Sequence, residues 1–298
     1  MVAVNLPLIE VPIVDYGTDE DHMVAYRENG TLRALDLDNR GPIHFDANGD
    51  LHPDIVESYS RHGFYIFTGV VKQGELDEIE RDVADMLDRS PVTKEAQVDK
   101  HGNPALGVGL EGRNISWVQP LSDPLGGTDT AYGRHEAKMN EPSPPSEAPD
   151  YVVQLFLGSL QFSDACLRLY GHPQLLRIAE AVNGPDFTPF NEAIWVKQPG
   201  LGGSVAWHQD GWTHWDSPQL DDHTHGFNFM AQLYGCDATN GLWVVPGSHR
   251  TGKADIKGMV EKAGSDRLPD AVPCICDPGD VAMTSRQAIH GSFANTSS

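Results

Sequence analysis

Phe227-Asn228-Phe229-Met230-Ala231-Gln232-Leu233-Tyr234 is the stretch on which the fold turns. Phe227, Phe229, Ala231 and Leu233 alternate with Asn228, Met230, Gln232 and Tyr234. Successive side chains on a strand point to opposite faces, so a period of two predicts a strand with two unlike faces. Asn228, Met230 and Gln232 share one of them. If that face is the inner one, they line an internal site; if it is the outer one, N-terminal helices cover them. Similar strand-like runs surround this stretch: Ala193 to Lys197, Gly241 to Val245, Ala271 to Cys276 and Val281 to Thr284. Asp277-Pro278-Gly279-Asp280 separates the last two as a turn. Many short strands punctuated by turns predict a sandwich or jelly roll.

Helices enter towards the N-terminus. Gly63 to Phe67 is a further β-rich run, and Leu76, Ile79, Val83, Met86 and Leu87 follow it at helical spacing. Helical text returns from Tyr151 to Val182, with Pro173 at a helix start and Asn183-Gly184 at its end. Residues 1 to 57 are expected to form an extension packed on the core, with short strands at Pro12-Ile13-Val14 and at Thr31 to Leu35. Residues 58 to 298 are expected to form the main domain. Within it, residues 90 to 150 are rich in Gly, Pro, Asp and Ser, and a connection that long is expected to be a lid or substrate loop. The expected class is mainly β with flanking helices.

Lys plus Arg number 21 against 43 Asp plus Glu, a formal charge of −22. Such a chain repels phosphate backbones and anionic head groups within a Debye length, and no Lys/Arg run offsets this. Nucleic-acid and membrane partners are therefore not expected, and a coenzyme A substrate is disfavoured. The expected partner is a small-molecule substrate; oligomeric state leaves no mark in the sequence. No apolar run reaches the roughly 18 residues of a membrane span. The first basic residue is Arg27, and Glu10 interrupts the apolar start. No signal peptide is read, and a cytoplasmic location is expected. Cys274 and Cys276 form one C-x-C pair with no second pair to complete a zinc site, so reduced core thiols are expected of them and of Cys166 and Cys236. Gly107 to Gly112 matches G-x-G-x-x-G but lacks the strand before and the helix after that would aim amides at a pyrophosphate.

The chemistry-bearing pattern is His-x-Asp. On a strand, residues i and i+2 point the same way, so His-x-Asp offers two metal ligands at once, and a distant His can complete a 2-His-1-carboxylate triad. With 13 His in an Asp-rich chain the triplet recurs by chance, and four copies occur: His44-Phe45-Asp46, His52-Pro53-Asp54, His208-Gln209-Asp210 and His214-Trp215-Asp216. The first two lie in a turn-rich region, and Pro53 argues against a central strand. His208-Gln209-Asp210 follows the strand Ala193 to Lys197 and the Gly-rich Pro199 to Gly203, which makes it the best-framed copy. His223-Thr224-His225 sits in a polar loop and reads as a solvated turn. Trp117, Trp212 and Trp215 are read as core aromatics, with a pocket wall as the alternative.

Trp207-His208-Gln209-Asp210-Gly211, Asn240-Gly241-Leu242-Trp243-Val244-Val245-Pro246-Gly247-Ser248-His249, Asp277-Pro278-Gly279-Asp280 and His290-Gly291-Ser292 occur in this order. In order and spacing, over about residues 55 to 298, the chain resembles the phytanoyl-CoA dioxygenase family. The resemblance implies a double-stranded β-helix core of the jelly-roll or cupin-like kind. It also implies an Fe(II)- and 2-oxoglutarate-dependent dioxygenase that uses O₂ and releases succinate and CO₂. His208, Asp210 and His290 would be the metal ligands. Ser292 would touch 2-oxoglutarate, with Asn228 and Gln232 as further cofactor-binding candidates if their face is the inner one. Related halogenases carry a small residue where Asp210 stands, so the carboxylate points to hydroxylation or another oxidation and not to halogenation. Pro246 to His249 is expected to be structural.

One departure stands out. The family places an Arg roughly ten residues after the second His to pair with the far carboxylate of 2-oxoglutarate. No Arg lies between Gly291 and Ser298, and Arg286 precedes His290, on the wrong side unless the chain bends. A chain truncated at its C-terminus is the expectation that fits. The alternatives are a cupin-like metal enzyme that does not use 2-oxoglutarate and a non-catalytic binding protein of the same fold.

Overall fold

The computed structural model describes residues 14–111, 114–130, 133–210 and 226–297. Three sheets carry the chain. The first has strand order β1 (Arg40–Gly41), β2 (Phe64–Phe67), β10 (Val281–Ser285), β7 (Phe227–Ala231). The second runs β6 (Val205–His208), β11 (His290–Ser292), β8 (Trp243–Val244), β9 (Val272–Pro273). The third is β3 (Ile115–Val118), β4 (Val152–Leu157), β5 (Ala193–Trp195). Among the described residues, only the β1–β2 pair is parallel. Helices α1 (Glu20–Leu35), α2 (Pro53–His62), α3 (Gln73–Asp88), α4 (Asp164–Tyr170), α5 (Pro173–Asn183) and α6 (Ile256–Ala263) flank them.

All four residues of β2 are buried because its sheet is covered on both faces. Tyr65, Phe67, Val281 and Met283 point one way, into a cluster with Ile79, Val83 and Met86 of α3 and Ile178 of α5. Phe64, Ile66 and Ala282 point the other way and meet Val244, Val272 and Cys274 of the second sheet. Met230 of β7 joins this inner layer, which answers the question left open for the Asn228–Met230 face. Phe227 and Phe229 take the opposite face. Beyond the second sheet, Trp207, Trp243 and Phe293 pack with Met23 of α1. Tyr26 stacks on Trp243 at 4.6 Å. At Gly30 the helix comes so close that a Cβ would lie 2.6 Å from the Trp243 ring.

Several expectations need correction. Thr31 to Leu35 is the last part of α1, not a strand; Met23, Gly30 and Ala34 are buried along the helix, and that tertiary contact outweighs local strand preference. Val152–Leu157 is the central strand of the third sheet, not helix; a short apolar run carries no periodicity that separates the two. The stretch from 90 to 150 contains β3 and is not wholly a loop. β1, from the N-terminal region, joins the core sheet beside β2. The proposed strand at Pro12-Ile13-Val14 lies outside the described residues except for Val14. All four thiols are free, and no described helix is long and apolar enough to cross a membrane.

Candidate metal centre

His208 ends β6 and His290 opens β11, and the antiparallel register sets them directly opposite each other. Asp210 follows two residues after His208. Nε2 of His208 lies 3.4 Å from Asp210 Oδ1, and Nε2 of His290 lies 3.6 Å from Asp210 Oδ2. One ligand atom from each residue falls within 4.8 Å of the others. Nδ1 of His208 is 2.8 Å from the Ala206 carbonyl, and Nδ1 of His290 is 2.9 Å from the Ala288 carbonyl. A carbonyl only accepts, so each Nδ1 carries the proton and donates it, which leaves both Nε2 lone pairs aimed at the common point.

The carboxylate is held as firmly. Asn228 donates from Nδ2 to Asp210 Oδ2 at 2.6 Å. Arg134 donates from Nη1 to Oδ1 at 3.4 Å, and Arg286 donates from Nη2 to the Asp210 carbonyl at 3.2 Å. Burial alone would raise the Asp210 carboxyl, but the imidazoles of His290 and His208 and the Asn228 amide outweigh it and hold it far below the usual carboxylate range. Burial, and next the His290 charge, bring His208 down to about 4. A neutral His208 imidazole beside an ionised Asp210 carboxylate is the pair of protonation states that a divalent cation requires. Asn228 stays exposed, so the centre opens to solvent on that side.

Gln209, between the two ligands, faces away from them. Its Nε2 donates to the carbonyls of Gln287 and Gly252 at 2.6 and 3.0 Å, and its Oε1 accepts from the Ala254 amide at 2.9 Å. The strand end that presents His208 and Asp210 is thereby tied to two other segments, the 252–254 loop and the turn at Gln287.

Ser292 lies buried on β11, two residues past His290, with a register irregularity between them. Gln232 is just past the other end of β7, about 13 Å along the strand from Asn228. There its amide donates to Asp280 and its carbonyl accepts from Gly279, so it is not brought to the metal end. Trp117 packs against the large core cluster. His44 and His52 stack on each other, and His52 caps the start of α2. Trp212, Trp215, His214-Trp215-Asp216 and His223-Thr224-His225 lie outside the described residues.

The sequence reading missed four contributors. The His135 ring stacks on His208 at 4.4 Å. Asp123 accepts from the Ala206 amide at 2.8 Å and lies 3.9 Å from His135 Nδ1. Arg134 comes from the same irregular segment, which carries no periodicity that could have flagged it. Arg286 was expected on the wrong side of His290 unless the chain bends; the turn closed by the Ala288 amide on Ser285 supplies that bend, and its guanidinium reaches the Asp210 carbonyl.

Two imidazoles and one carboxylate converge on a potential metal site, and this donor set fits Fe(II). The profile of the phytanoyl-CoA dioxygenase family (PhyH) matches residues 59–298. A rice protein, "Phytanoyl-CoA dioxygenase 1" of Oryza sativa subsp. japonica, is 30% identical over 109 residues, which are 34% of this chain and 37% of that protein. The chain thus matches little more than a third of that relative's length. Among solved structures, EctD from S. alaskensis in its apoform is 17% identical, with a TM-score of 0.56 over 86% of this chain and 76% of that one. AviO1 from Streptomyces viridochromogenes Tue57 is 20% identical, with a TM-score of 0.52 over 81% and 86%. The non-heme alpha ketoglutarate dependent carbocyclase SnoK from nogalamycin biosynthesis is 18% identical, with a TM-score of 0.51 over 85% and 82%. At these identities the structural likeness speaks for the fold. The chain belongs to the phytanoyl-CoA dioxygenase family.

Proposed function

We propose that the protein hydroxylates a small organic substrate, with release of succinate and CO₂. The observation that carries this reading is the convergence of His208 Nε2, His290 Nε2 and the Asp210 carboxylate. The two facing four-stranded sheets, to which residues 58–298 contribute every strand but β1, support a double-stranded β-helix core. Bound iron and 2-oxoglutarate supply the oxidising chemistry. The chain's own residues position and shield it. Asn228 and Arg134 fix the plane of the Asp210 carboxylate. Because that carboxylate fills the position a halide would need, hydroxylation is favoured over halogenation. Ser292, on the strand of His290, is placed to meet 2-oxoglutarate. The segment that carries Arg134 and His135 is read as the lid over the substrate. Four free thiols suit a cytosolic setting.

The test is an anaerobic titration with Fe(II) and 2-oxoglutarate. A visible charge-transfer band is expected in the wild type and not in His208→Ala. Iron binding without the band would favour a metal enzyme of another kind. With the band in hand, succinate release over a panel of candidate substrates identifies the substrate.

A further inference from the structure

Cys236 and Cys276 face each other where the two large sheets exchange strands. The chain after β7 leaves the first sheet for β8 in the second, and the chain after β9 returns from the second sheet to β10. The two crossings meet in an antiparallel bridge between Cys236 and Cys276. The Cys236 amide donates to the Cys276 carbonyl at 2.8 Å, and the Cys276 amide donates to the Cys236 carbonyl at 2.9 Å. Residues that exchange both bonds sit directly opposite, with Cα atoms about 5.5 Å apart and side chains on one face. A disulfide spans Cα separations of about 4.4–6.8 Å. Glycines let the crossings come this close. At Gly235, with φ +78°, a Cβ would lie 2.6 Å from the Cys276 carbonyl oxygen, and at Gly241 a Cβ would lie 3.2 Å from Cys236 Sγ.

The two thiols differ in access. Cys276 is buried and Cys236 half-buried, so a small oxidant meets Cys236 first. The buried ammonium of Lys197 feels the Cys236 sulfur, and a basic neighbour marks thiols that react. The Cys236 sulfur beside it, and burial next, push the Cys276 thiol well above its usual range, so Cys276 stays a thiol until its neighbour is oxidised. Cys274 is the competing partner, since Cys236 Sγ donates to its carbonyl at 3.1 Å. It lies two residues from Cys276, however, and diagonal neighbours across a ladder are about 7–8 Å apart, beyond disulfide reach. Cys166 belongs to a different core cluster.

We propose that Cys236 and Cys276 form a reversible disulfide when the protein meets a hydroperoxide. The Cys236 sulfur attacks one peroxide oxygen, so an S–O bond forms and the O–O bond breaks. The other oxygen of hydrogen peroxide leaves as hydroxide and takes the Cys236 proton as water. The Cys276 sulfur then attacks the sulfenic sulfur; the S–S bond forms, the S–O bond breaks, and the departing hydroxide takes the Cys276 proton. Two thiols give up two electrons, and the peroxide becomes two waters. Opposed residues of a ladder hold their Cβ atoms about 4.5–5.5 Å apart, wider than the roughly 3.5–4.5 Å of a relaxed disulfide. The bond therefore forms under strain and is easily reduced again by a dithiol. While it lasts, it closes β8, α6 and β9 into one loop and rivets the two sheets together. His208, Asp210 and His290 lie outside that loop.

The experiment exposes the folded full chain to hydrogen peroxide with a chelator present, then denatures it, alkylates the remaining thiols and weighs the protein. Wild type should lose two hydrogens, keep Cys166 and Cys274 alkylatable, and unfold about 3–5 °C higher, all reversed by dithiothreitol. Peptide fragmentation should place the bond between Cys236 and Cys276. Cys236→Ser should show neither change, whereas Cys166→Ser and Cys274→Ser should behave as wild type. Should Cys236→Ser fail to fold, Cys276→Ala carries the same comparison. A bond from Cys236 to Cys274 overturns the assignment, as does oxygen added to Cys236 with Cys276 still alkylatable. A bond that forms only in urea does the same. No step involves the metal centre, so the result stands apart from the oxygenase reading.

Discussion

His208, His290 and Asn228 reach the metal centre from strands, whereas Asp123, Arg134 and His135 reach it from irregular chain between β3 and β4. The strand-borne half takes its geometry from the backbone ladder, in which His290 faces His208 across one register. The other half is stitched on by side chains. Asp123 accepts from the amides of Ala206 and Leu125, each at 2.8 Å. Glu141 accepts from the Asp123 amide at 2.6 Å and from the Ser204 hydroxyl at 3.2 Å. The two halves therefore have different tolerances. A ladder sets ligand positions that hardly vary, while stitched loops can be rebuilt for another substrate without disturbing the ion.

If this division is right, substitutions should rank by the half they touch. His290→Ala should eliminate stoichiometric Fe(II) binding in calorimetry, since it removes a ligand outright. Asn228→Leu should weaken iron by about 10- to 100-fold in chelator competition, because the amide that orients Asp210 is lost. Asp123→Asn should leave the ligands in place and lower stability by about 1–2 kcal/mol in urea unfolding at neutral pH. Burial would raise the Asp123 carboxyl, but the neighbouring His135 ring and hydrogen bonds from the Ala206 and Leu125 amides depress it. A depressed carboxyl contributes its stability above the unfolded value near about 3.9 and loses it as pH falls through the folded value. The gap between wild type and Asp123→Asn should accordingly close in acid. Arg134→Gln should have the smallest effect on iron, within about threefold, because its 3.4 Å bond is long. An iron loss in Arg134→Gln as large as that of Asn228→Leu would erase the distinction between the halves.

The strand-borne half was legible because alternation and His-x-Asp are local patterns. The period of two placed Asn228 and Met230 on one face, and the structure turns that face inward. The same pattern overreached at Gln232, since it gives the face but not the distance along the strand. Helix α1 was missed in part because its burial depends on Trp243, far along the chain. Val152–Leu157 was misread because, Gln154 apart, it is apolar and too short to show a period. Arg134 and His135 carried no signal, because side-chain bonds to residues far away in sequence place them.

The pairing of His290 with His208 has one more consequence. A one-residue slip of β11 against β6 would turn His290 to the opposite face and dissolve the site. If iron binds at these three side chains as proposed, only the correct register can take it up, and iron would then act as a proofreader of the sheet and withdraw correctly paired chains from the unfolded pool. Resistance to proteolysis should then climb with Fe(II) in the absence of any substrate, and the abundance of the protein in a cell would track the iron supply as well as the rate of synthesis.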